Sequence, residues 1–208
     1  MVVAVVVVLF LTRSDSDKKV VTPPPTTTTR PPKPPAPLKL VIGRVVVQNV
    51  GPPAHVSRPL RRALLAAMQR YVDDAIIAPL EQGRLIAGYG KMYDPFVQGA
   101  ALGSDRSVLT EVTMGFRQKH VHATASPVRL DALGGPDGRP VLVAATFSLN
   151  VDAQTSKGPL AIRRLTELTF SNEFGRWVVI AYNVGVRRTL GAHTRTAAAH
   201  VGATPPPA

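Results

Sequence analysis

The chain contains no cysteine. Disulfides and thiolate metal sites are excluded, and the redox compartment stays open. Aromatic residues make up only 5% of the chain, and in the sequence they do not cluster with arginine. The stacking platforms that single-stranded nucleic acid requires are therefore missing. Acidic residues are also few, 13 against 25 Lys and Arg, for a net charge of +12. The excess divides evenly: residues 1–58 hold eight bases and two acids, and residues 59–208 hold seventeen and eleven. Such a balance fits nucleic acid, anionic lipid, an anionic wall polymer or simply a solvated surface. Without aromatics beside the basic residues, no nucleic-acid partner is expected. Walker A, Gly-x-Ser-x-Gly, His-Glu-x-x-His and Asn-x-Ser/Thr motifs are all absent.

Long apolar runs are lacking too. The run Val2 to Leu11 has ten residues. As a helix it reaches about 15 Å, half of the roughly 30 Å hydrocarbon core of a bilayer. It reads as the h-region of a signal peptide or as the visible end of a longer transmembrane helix that begins upstream. The second is preferred, because a proline-rich spacer follows. Arg13, Lys18 and Lys19 would hold their side in the cytoplasm; basic residues further upstream would remove that conflict. The expectation is a single-pass anchor in the cell membrane with the domain outside the cytoplasm.

Four segments follow from composition. Residues 1–12 are the apolar anchor or signal, and residues 13–37 a linker. Within the linker, Thr22 to Pro37 (TPPPTTTTRPPKPPAP) favours extended polyproline II, at about 3.1 Å per residue. Residues 38–189 are the folded domain, and residues 190–208, rich in Ala, Thr and Gly, a disordered tail.

Within the domain, Leu38 to Val47 reads as a strand or an extended lead-in. Ser57 then caps a helix, with Pro59 in its first turn. Leu60, Leu64, Met68, Tyr71, Ala75 and Ile76 recur at helical spacing as far as about Ala78. Short helical pieces follow around Leu80, Lys91 to Val97 and Asp105 to Thr110. Val112 to Val128 alternates loosely and is expected as the first strand of the main sheet. Three long strands close the domain. Val141, Val143, Ala145, Phe147, Leu149 and Val151 share one face. Leu160, Ile162, Leu168 and Phe170 are in phase on the second strand. Trp177 to Val186 is apolar on both faces, as expected of a central strand. Gly134 to Gly138, Thr155 to Pro159 and Asn172 to Arg176 carry hairpin chemistry. The fold class expected is α+β: a long N-terminal amphipathic helix with short helices, packed on a curved antiparallel β-sheet in a cone-like arrangement.

This order of elements resembles the nuclear transport factor 2-like (cystatin-like) superfamily over about residues 57–188. The residues carrying the resemblance are Tyr71-Val-Asp-Asp74, Glu167-Leu-Thr-Phe170, and Gly175-Arg-Trp177 through Tyr182 into Val184-Gly-Val-Arg-Arg188. In style it is similar to membrane-anchored actinobacterial proteins, including those associated with mammalian-cell-entry lipid-import systems. The resemblance implies either a non-catalytic assembly module or a small-molecule or lipid-binding cone, of which isomerases are one kind; fold does not choose between them.

An isomerase-type site needs a carboxylate base and polar donors converging in an apolar pocket. The candidate ligand-binding residues are Tyr71, Asp73, Tyr93, Asn150 and Asp152. Asp74 neighbours Asp73 on the helix, about 100° away, so at most one of them points inward. His120 and His122 share a strand face and could meet one metal, but no third ligand is placed beside them. Arg163-Arg164 and Arg187-Arg188 each put one guanidinium on either face of a strand, and Arg164 is expected to pair with Glu167. No catalytic residue, metal ligand or cofactor is assigned. The partners expected are the membrane through the N-terminus, and an envelope protein or a second copy of the chain. A pocket of several hundred Å³ holding a buried carboxylate would favour the ligand-binding alternative; a filled interior with exposed apolar residues would favour the assembly module.

Overall fold

The computed structural model describes residues 37–49, 52–86, 88–112, 117–173 and 175–202. The expected anchor, and all but the last residue of the expected linker, lie outside the described residues. Among the described residues no helix is long and apolar enough to cross a membrane.

One seven-stranded sheet dominates. Its strands are β1 (Ile42–Asn49), β2 (Lys119–Ala125), β3 (Val128–Gly134), β4 (Pro140–Thr155), β5 (Gly158–Glu173), β6 (Arg176–Leu190) and β7 (His193–Val201). Their order is β1-β3-β4-β5-β6-β7, and β2 lies beyond the end of β3 along the same edge of β4. The helices are α1 (Arg58–Val72), α2 (Ala78–Gln82), α3 (Pro95–Leu102) and α4 (Arg106–Leu109), with a π-helical turn at Asp73–Ile77 and a 3₁₀ turn at Tyr89–Met92.

This corrects the expected fold class. The sheet is mixed rather than antiparallel, because β1 pairs in parallel with β3. Every helix of the described residues intervenes between those two strands, and a crossover of that kind delivers a parallel partner. The helical run from Arg58 to Gln82 is interrupted by the π-helical turn, so that α1 ends at Val72 and α2 begins at Ala78. Two further differences have local causes. Of the span expected as the first strand, Val112 to Val128, only Lys119–Ala125 forms a strand, and it is the second; Ser126-Pro127 ends it, since proline cannot donate to a ladder, and Val128 opens β3. The tail expected to be disordered from residue 190 instead supplies β7, which pairs with β6 along its whole length.

The start of α1 follows local chemistry. The Ser57 hydroxyl accepts from the Leu60 amide at 3.4 Å, and Pro59 occupies the first turn. Leu64, Met68, Tyr71 and Val72 form its buried stripe. Pro79 has no amide to give to the carbonyl of Ala75, four residues earlier, and its ring crowds that group. The backbone widens into the π-helical turn, and the Ala78 amide reaches Asp73 instead. The released Ala75 carbonyl accepts the amide of Glu111 at 3.0 Å. Pro79 thus opens the berth in which Glu111 is held.

The chain enters the domain across α1. The Gln69 side chain accepts from the Leu40 amide at 2.9 Å and donates to the Leu38 carbonyl at 3.1 Å, imitating one rung of a ladder. The core lies between the helices and one face of the sheet. Alternation places Val143, Ala145, Phe147, Leu149 and Val151 there from β4, and Leu160, Ile162, Leu168 and Phe170 from β5. A bulge in β6 opposite Thr169 and Phe170 shifts its phase. Val179 is buried before the bulge, and Tyr182, Val184 and Val186 after it. Much of the second apolar face read from the sequence is therefore the same face, changed in register midway, although Val178 is buried on the other.

Candidate functional site

The described side chains make a polar cluster under α1 and an open cleft beside it. The cluster centres on Glu111, which is completely buried. Arg164 donates to its Oε1 from Nη1. Arg188 donates from Nε to Oε2 at 2.6 Å and from Nη2 to Oε1 at 3.0 Å. Two cations on one carboxylate leave an excess of positive charge, which is met by carbonyls at the C-terminal end of α4. Arg164 Nη2 donates to Val108 and Leu109, at 2.7 and 3.2 Å. Arg188 Nη2 donates to Ser107 and Thr110, at 2.9 and 3.2 Å. The last carbonyls of a helix have no partner within it and carry partial negative charge, so they suit guanidinium groups. Tyr71 closes the cluster: its hydroxyl donates to Leu109 O at 3.0 Å and accepts from Arg164 Nη2 at 3.1 Å.

The cluster is built to hold charge in place. Both Glu111 oxygens accept from guanidinium groups, and the arginines stay fully protonated at any working pH. Burial pushes the Tyr71 phenol above its ordinary range, although Arg164 pulls the other way. Neither group is a free base.

A second polar line runs through tyrosines. Tyr93 donates to Tyr89 at 3.2 Å, and Tyr182 donates to Asp105 Oδ2 at 2.7 Å. The rings of Tyr89 and Tyr93, and of Tyr93 and Tyr182, meet edge to face with centroids 5.4 and 5.9 Å apart. Burial raises the pKa of all three, and for Tyr182 the hydrogen bond to Asp105 adds to it.

The five candidate residues do not converge. Tyr71 and Tyr93 are both buried and near enough for Tyr71 to help raise the Tyr93 pKa, and Tyr71 also lines the open cleft. Asp73 is exposed at the start of the π-helical turn, where it accepts from Gln69 Nε2 at 3.0 Å. Partial burial raises its pKa, the Gln69 hydrogen bond lowers it and Asp74 raises it. Asn150 and Asp152 are exposed on the outer face of β4, and Asp152 pairs there with Arg163 at 3.0 Å. His120 and His122 are exposed and line one shallow cleft together with Asp152, with a bulge between Lys119 and His122. Among the described residues no group of three His, Asp or Glu side chains has the geometry to hold a metal. The expected pairing of Arg164 with Glu167 gives way to Glu111.

Sequence reasoning named Arg164 and Arg188 but passed over Glu111, yet a signal existed. Arg164 is in phase with Leu160, Ile162 and Leu168, and Arg188 with Val184 and Val186. An arginine in step with a buried stripe calls for a buried carboxylate.

The cleft of about 660 Å³ lies between α1, the 3₁₀ turn and the start of β6. Ala63, Ala67, Met92 and Trp177 give it apolar surface. Arg70, Lys91 and Arg176 line it from three separate elements, and Asp74 is its carboxylate. The fold thus gathers the sole tryptophan of the chain with three cations, one of them its sequence neighbour Arg176.

Comparison with known proteins finds no matching family model, no matching curated protein and no matching solved structure.

Proposed function

We propose that this chain is a membrane-tethered accessory module of an envelope assembly, working outside the cytoplasm through protein contacts rather than by catalysis. One observation carries the reading. The interior is closed by packed side chains, and its completely buried carboxylate, Glu111, is spent on two arginines and so is not available as a base. The isomerase-type alternative needs a raised, accessible carboxylate in an apolar cavity. What the surface offers instead is apolar contact area: Phe96 is 97% exposed on α3, and Val41 and Leu165 are each 56% exposed. Large exposed apolar side chains are natural anchors for a partner protein. Kinship with nuclear transport factor 2-like proteins belongs to the same proposal, and it has to accommodate a parallel edge strand.

The test is photo-cross-linking in native membranes. The full chain, tagged at its C-terminus, carries a photoreactive residue in place of Phe96. The expected result is one stoichiometric envelope-protein or self-cross-linked product, absent when the photoreactive residue replaces Thr194 on β7 instead. Recovery of the chain from the soluble fraction, without any cross-linked product, sinks the proposal. So does recovery with a small molecule enclosed in the core against Glu111, away from the cleft at Trp177.

A further inference from the structure

The cleft beside α1 is a binding site in its own right. It is concave, and its volume of about 660 Å³ falls in the roughly 300–1,000 Å³ range of small-molecule sites. Its chemistry is divided. Alanines of α1, Met92 and the half-buried Trp177 provide an apolar bed. Arg70, Lys91 and Arg176 bring three positive charges against the single negative charge of Asp74. None of these three cations forms an ion pair among the described residues, a state they share with most of the other surface cations; what sets them apart is that they line one cleft together. Unpaired cations arriving from a helix, a 3₁₀ turn and a strand are not there to hold those elements together.

We infer that this cleft binds an amphipathic organic anion, whose alkyl or aryl body lies on Met92 and Trp177 while its carboxylate or phosphate ester is held by Arg70, Lys91 and Arg176. Guanidinium and ammonium groups give charge-assisted hydrogen bonds to either head group, roughly twice as strong as neutral ones. The indole face accepts the body. A bare inorganic anion lacks the second half of the site, and a neutral alcohol lacks the first. The inference does not depend on the tethered-module reading, since a ligand site is compatible with any partner or location.

Trp177 is the only tryptophan in the chain, so intrinsic fluorescence reports directly on this cleft. The experiment titrates the full chain with octyl phosphate and with octanoate, below their micellar concentrations. Inorganic phosphate, octanol and octylammonium serve as head-only, tail-only and reversed-charge controls. The expected result is a saturable spectral shift with one or both anionic amphiphiles, at concentrations where the controls give none. The tighter of the two identifies a phosphate ester or a carboxylate as the natural head group. The double variant Lys91→Glu/Arg176→Glu changes two exposed side chains and is expected to bind roughly tenfold more weakly or worse. Ala66→Phe, which fills the cleft from an exposed position on α1, is expected to abolish the shift with the charges intact. Several results overturn the proposal: no shift at all, an equal shift with octanol or octylammonium, or unchanged binding in both variants. Saturable binding of an acidic peptide without any response to the octyl anions also overturns it, and reassigns the cleft to a protein partner.

Discussion

Arg164 and Glu111 stand 53 positions apart in the chain and form a completely buried ion pair beneath α1. The pair exists because Pro79 frees the Ala75 carbonyl to hold the Glu111 backbone. Taking two charges out of water is costly, and the attraction between them offsets that only while both are present. Glu111→Leu alone leaves the buried Arg164 and the half-buried Arg188 without a carboxylate and should destabilise the domain by about 3–5 kcal/mol. The triple change Glu111→Leu/Arg164→Met/Arg188→Met should recover most of that loss, because an apolar replacement leaves no charge stranded. Urea unfolding followed by circular dichroism measures both; a triple variant no more stable than the single one would contradict this account.

All four tyrosines of the chain have a raised pKa, with burial the leading cause in each. The folded state therefore favours the neutral phenol more than the unfolded state does. That stabilisation is fully present below the ordinary tyrosine pKa of about 10. It is lost as pH rises from there toward the folded-state values, so stability falls on the alkaline side. Phenolate absorbance should appear together with the loss of circular dichroism, in one cooperative step. Phenolate signal from most of the tyrosines well before unfolding would show that they are not held as described.

The Gln69 amide clasps the entering chain at Leu38 and Leu40, and Leu40 itself is buried. Gln69→Leu removes both hydrogen bonds and should lower stability by about 1–2 kcal/mol. The sharper readout is local. Hydrogen exchange at the Leu40 amide should accelerate far more than at amides of β4 and β5. Uniform acceleration across the sheet would mean that the clasp is not a separate local unit.

Much of the fold was legible because its central strands alternate cleanly. Val143 to Val151 and Leu160 to Phe170 declare their buried faces, Ser57 declares a helix start, and the three hairpin loops declare themselves by composition. What was illegible has physical causes. A bulge in β6 made much of one buried face look like a second. Ala197 to Ala199 pair through backbone with little side-chain signal, so β7 read as a tail. The parallel docking of β1 depends on a partner more than eighty residues away. The candidate site was less legible still: Arg164 was noticed, but its partner Glu111 lies in a short segment with no periodicity to announce it.

β7 covers the outer edge of β6, and Ala199 is buried by doing so. Ending the chain at Leu190 should leave the β6 edge bare. An uncovered edge strand is a template for pairing with another chain. The shortened protein should be less stable and should self-associate, as sedimentation velocity would show. A monomer of undiminished stability would mean that β7 contributes nothing to the sheet.

The parallel pairing of β1 with β3 sets an order of events during synthesis. β1, with Val45, Val46 and Val47 in succession, is the first strand made, yet its partner emerges more than eighty residues later. The antiparallel β4–β5 and β5–β6 hairpins close over far shorter spans and with less loss of chain entropy. The first strand to be made is therefore the one that waits longest for its partner, and a nascent chain carries a valine-rich segment without its ladder until β3 has been made. The prolines and charges of residues 22–39, just ahead of that segment, suit the role of gatekeepers against premature pairing.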